Sequence, residues 1–83
     1  MSPELETLDQ LMADDLPVSV IRSLYPNEDR FLRAIEAMLD AGEIRLLDAN
    51  NAEVPKWRRR EVLTQQADTA RLSLTELGAR RIA

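Results

Sequence analysis

No cysteine and no histidine occurs in the 83-residue chain. The first absence excludes disulfide staples and thiolate chemistry. The second removes the commonest general base and the commonest metal ligand. Only two glycines are present, Gly42 and Gly78, so no glycine-rich phosphate loop can form. The aromatics are one Tyr, one Phe and one Trp, which leaves the core to Leu, Ile, Val, Met and Ala. No apolar run approaches the roughly 20 residues that span a bilayer. The acidic start SPELETLDQL lacks the basic and apolar regions of a secretion signal. A soluble, cytoplasmic chain with no membrane partner is expected.

The missing parts also argue against catalysis. The adjacent carboxylates Asp14-Asp15 and Glu28-Asp29 are both explained by helix capping and helix dipoles. No catalytic residue, metal ligand, cofactor or small-molecule site is expected.

What is present fits one small domain, residues 1–83. The apolar fraction is 45%, ordinary for a globular chain, but a domain this small buries only about 60–65% of its unfolded surface. The formal net charge is −4 and it is unevenly spread. Residues 1–16 carry five acids and no base, whereas residues 43–83 carry six acids and eight bases. Only one face could approach a polyanion.

Ser2-Pro3-Glu4 is a helix start, and Leu5, Leu8, Leu11 and Met12 follow at helical spacing. This predicts a helix over about 3–13. Asp14, Asp15 and Pro17 restart the chain into a short helix over about 17–24. Tyr25-Pro26-Asn27 ends it, because a residue before proline avoids the α region and Asn is a good cap. Phe31, Ile35, Met38 and Leu39 then define a third helix, about 27–41, stopped by Gly42. From Glu43 the period changes to two, predicting a strand over about 43–48. Asp48 to Ala52 is turn chemistry. A second, irregular strand is expected over about 54–63, with Pro55 at an edge position. A return strand over about 70–74 leads to a last helix over about 75–82, capped by Thr75.

The segments LDAGEIRLL (39–47) and RLSLTELGARRI (71–82) are the ones a known family shares. With them the chain resembles a winged helix-turn-helix domain, most nearly the MarR-like type. The resemblance implies an α+β fold: a three-helix core, a small antiparallel sheet with a long wing, and a short C-terminal helix. It implies binding of double-stranded DNA, with the third helix in the major groove and the wing on the phosphates. The connection 48–69 is longer than the family's usual wing, and the family's long flanking dimerisation helices have no counterpart. Dimer formation and ligand sensing therefore do not carry over.

The candidate nucleic-acid-binding residues are Arg30 and Arg33 on the third helix and Lys56, Arg58, Arg59 and Arg60 in PKWRRR. Four wing cations on phosphates would give log affinity a slope against log salt of about −3.6. Trp57 between them could stack on a base, but core packing is the favoured role in a chain so poor in aromatics. The acidic entrance of the third helix, Glu28-Asp29, opposes a polyanion. Two readings stay open: a DNA-binding winged helix, possible transcriptional regulator, or a winged-helix module that docks a protein partner or a second copy of itself.

Overall fold

Ser2 Oγ accepts the Leu5 N–H at 3.2 Å and Pro3 follows as the first helical residue. Together they start α1 (Pro3–Ala13) with one orphan donor satisfied. The computed structural model describes residues 2–82. Leu8 and Leu11 enter the core, while Leu5 and Met12, expected on the same face, are 37% and 55% exposed. The buried stripe is narrower than the apolar pattern because α1 meets only α5 (Glu76–Ile82) and β3 (Arg71–Leu74) closely.

β3 is the centre of a three-stranded antiparallel sheet. It pairs on one side with β1 (Leu16–Pro17) and on the other with β2 (Ile44–Leu47), in the order β1-β3-β2. Sequence patterning misses β1, since two residues ending in proline carry no period. Pro17 is tolerated because β1 is an edge strand. α2 (Val18–Arg22) is shorter than the expected 17–24. It has no side-chain cap, its β-branched residues resist helix, and Ser23 Oγ donates to the Val20 carbonyl.

α3 (Glu28–Asp40) is the longest element, capped by Asn27 Oδ1, which accepts the Arg30 N–H at 2.9 Å. It buries Phe31, Leu32, Ala34, Ile35, Met38 and Leu39. Gly42 ends the helix turn at φ +74°, the left-handed conformation that favours glycine. In β2, Ile44 and Leu46 point into the core and Arg45 points out, as the alternation implies. Tyr25 ties α1 to the turn before α3: its hydroxyl lies 2.9 Å from Thr7 Oγ1, and its ring meets Phe31 edge-on at 5.6 Å.

The expected strand over 54–63 is instead helical. Only Glu53 bridges to Leu47, and Val54 donates to Leu46 O before the chain leaves the sheet. A 3₁₀ turn, Lys56–Arg58, then leads into α4 (Arg59–Gln65). The reason lies in Val62 and Leu63, which are both buried. Neighbouring residues of a strand face opposite ways, whereas a helix can turn both toward one core. The connection between β2 and β3 is therefore a helical wing, and the fold is winged-helix-like α+β. Thr75 caps α5 as expected, accepting the Gly78 N–H at 3.2 Å and donating to the Gly42 carbonyl. No helix among the described residues is long and apolar enough to cross a membrane.

Candidate functional site

Pro55 is extended, at φ −67° and ψ 155°, and the helical wing begins directly after it. Val54, Val62 and Leu63 anchor the wing beneath, at 5%, 0% and 3% exposure. These three aliphatic side chains occupy the core position expected for Trp57. The indole is left 83% exposed, which reverses the core-packing expectation.

α4 runs beside the C-terminal half of α3, and this neighbourhood decides the fate of the basic residues. Glu36 and Asp40 stand one turn apart on α3 and face the wing. Arg59 Nη1 donates to Asp40 Oδ1 at 2.6 Å, and Lys56 Nζ lies 3.4 Å from the same oxygen. Arg60 makes a two-pronged bond to Glu36, Nε to Oε1 at 3.2 Å and Nη2 to Oε2 at 3.3 Å. The Arg59 hydrogen bond holds the Asp40 carboxyl below its ordinary pKa, with Lys56 adding to the effect. Arg59 is the most enclosed of these cations, and its Nε is buried with no hydrogen-bond partner. Such a half-satisfied guanidinium makes the ion pair costly to break.

The two candidate arginines of α3 sit elsewhere. Arg33 Nε lies 3.2 Å from Asp29, and Arg30 approaches Glu4 of α1 at 4.0 Å. Arg30 is ten residues from Asp40, about 15 Å along the helix. The structure therefore brings Lys56, Arg59 and Arg60 together and leaves Arg30 and Arg33 apart from them. Five of the six candidate cations lie within 4.0 Å of a carboxylate. Arg58 is the exception among the described residues, with its guanidinium carbon 6.0 Å from the Trp57 ring centroid.

Summed over α3 and the wing, charge cancels. α3 carries four acids against two arginines, and residues 53–61 carry four bases against two acids. The sequence pattern points to the cations but not to Glu36 and Asp40 as their partners. Their spacing of four, along one edge of the apolar stripe, was the available signal.

Two surface features flank these ion pairs. A small cleft of about 200 Å³ lies between Trp57, Lys56, Arg59, Arg60 and the two carboxylates. A larger groove of about 550 Å³ runs from Pro55 and Arg59 to Leu77 at the start of α5. The outer corner of the wing is thus a basic, aromatic, basic triplet, Lys56-Trp57-Arg58, on a helix fixed from below. Comparisons of the chain with family models, with curated proteins and with solved structures find no match.

Proposed function

We propose that this chain is a winged-helix module that docks a protein partner through the outer corner of its wing. The observation that carries the reading is Trp57, an indole 83% exposed on a segment whose next turns are locked into the core. Large exposed aromatics on a rigid support are the commonest energetic anchors of interfaces, and arginine is the next. The remaining wing cations serve the fold: Arg59 and Arg60 pin α4 to α3. The Arg60 pair is exposed and weak, and a phosphate could displace it. The carboxylates would stay in place, and α3 would still meet a polyanion with a negative face.

A labelled random duplex, titrated at low salt into the micromolar range of protein, is expected to give no binding. Immobilised chain is expected to retain a partner from host extract that Trp57→Ala fails to retain. Salt-dependent duplex binding that disappears in the Arg58/Arg59/Arg60→Ala triple variant would overturn the reading. That outcome would support the second reading, a DNA-binding regulator of the MarR-like type, which one observation favours: the order of helices and strands is that of a winged helix, with α3 in the recognition position.

A further inference from the structure

We infer that the occupant of the wing corner is the acidic helix α1 of a second copy of this chain, an inference that rests on the docking reading above. The two surfaces are chemically complementary. On α1, Leu5, Asp9 and Met12 follow the i, i+4, i+7 spacing of one flank, and all three are exposed. An acid is thus bracketed by two apolar side chains. On the wing, Trp57 is bracketed by Lys56 and Arg58. Leu5 and Met12 lie about 10 Å apart along the helix.

Charge points the same way. Residues 1–16 hold five acids and no base, and the last turn of α1 carries no basic side chain. The negative end of its dipole is therefore left without a cation of its own. At the wing, Lys56 shares one carboxylate with Arg59, and Arg58 has none among the described residues. Surplus positive charge and surplus negative charge thus reside on separate exposed flanks of the same molecule. Made reciprocally about a two-fold axis, the contact is used twice and closes into a dimer.

Sedimentation velocity from low to high micromolar protein tests this. The expected result is a concentration-dependent shift toward twice the chain mass, weakened by salt. Trp57→Ala is expected to weaken dimerisation by roughly 1,000-fold, an interface anchor of about 30-fold being lost at both contacts. Asp9→Arg and Arg58→Glu each weaken it by about 25-fold, an exposed ion pair of about fivefold being lost at both contacts. Mixing the Asp9→Arg and Arg58→Glu chains is expected to recover most of the loss, because the mixed dimer has one contact in its native sign and the other matched in reversed sign. A chain that stays monomeric throughout, or a dimer indifferent to all three variants, would sink the inference. A monomer that still captures another protein through Trp57 would sink it while sparing the docking reading; duplex binding through Arg58 would end both.

Discussion

Arg59 Nη1 lies 2.6 Å from Asp40 Oδ1, joining the first residue of α4 to the last residue of α3. This bond converts one of the basic residues of PKWRRR from a free cation into a fastening. Lys56 reaches the same oxygen, and Arg60 repeats the arrangement one turn back on Glu36.

Removing the Asp40 charge is expected to loosen the wing and unmask its cations. In Asp40→Asn, duplex DNA binding at low salt should rise from none to a measurable, salt-sensitive level in fluorescence anisotropy. The same residue sets an acid dependence. Its pKa is lowered in the folded chain from the ordinary 3.8, so its contribution is present above that value. It is lost as pH falls through the lowered one. An acid titration followed by circular dichroism should show this loss in the native chain and not in Asp40→Asn.

The wing's two apolar roles separate cleanly by mutation. Leu63→Ala opens space under α4 and should cost about 2–5 kcal/mol in denaturant unfolding. Trp57→Ala removes a larger side chain yet should change stability by no more than about 0.5 kcal/mol. Equal losses at the two positions would mean that the indole is buried.

Gly78 lies where α5 crosses the start of β2. A Cβ there would overlap the backbone carbonyl of Glu43, and neither backbone can yield easily. Gly78→Ala is expected to cost about 3 kcal/mol, the upper range for overpacking, with a correspondingly lower thermal midpoint.

Tyr25 gives an alkaline dependence. Burial raises its phenol above the ordinary 10.0, Glu4 raises it further, and the Thr7 hydrogen bond opposes both. A group whose folded pKa is raised stabilises fully below its unfolded value and loses that contribution as pH rises through the folded one. Unfolding free energy should therefore fall as pH climbs above 10, and the slope should shrink in Tyr25→Phe. Phenolate absorbance follows the event directly, since the chain has one tyrosine.

Much of the body was legible because its signals are local. Ser2, Asn27 and Thr75 cap the helices they precede, Gly42 ends the α3 turn, and the alternation of Ile44 to Leu47 fixes which side of β2 is inside. The wing was not, because residues 55–61 hold one apolar side chain and so no period. Its helicity follows from where Val62 and Leu63 must both point, which depends on the core they meet. The scarcity of aromatics misled the reading of Trp57, since three aliphatic residues filled the space under the wing. Cations of the right type were found at the candidate site, but their pairing with Glu36 and Asp40 joins elements 19 to 24 residues apart. Only the packing of α4 on α3 creates it.

The neighbours Lys56 and Trp57 are the chain's one lysine and one tryptophan. Tryptophan emission therefore reports from a single corner of the molecule, and an amine-directed dye on that lysine would sit beside the emitter. Quenching, energy transfer and solvatochromic shifts would all be read where the proposed partner arrives, with no engineered probe.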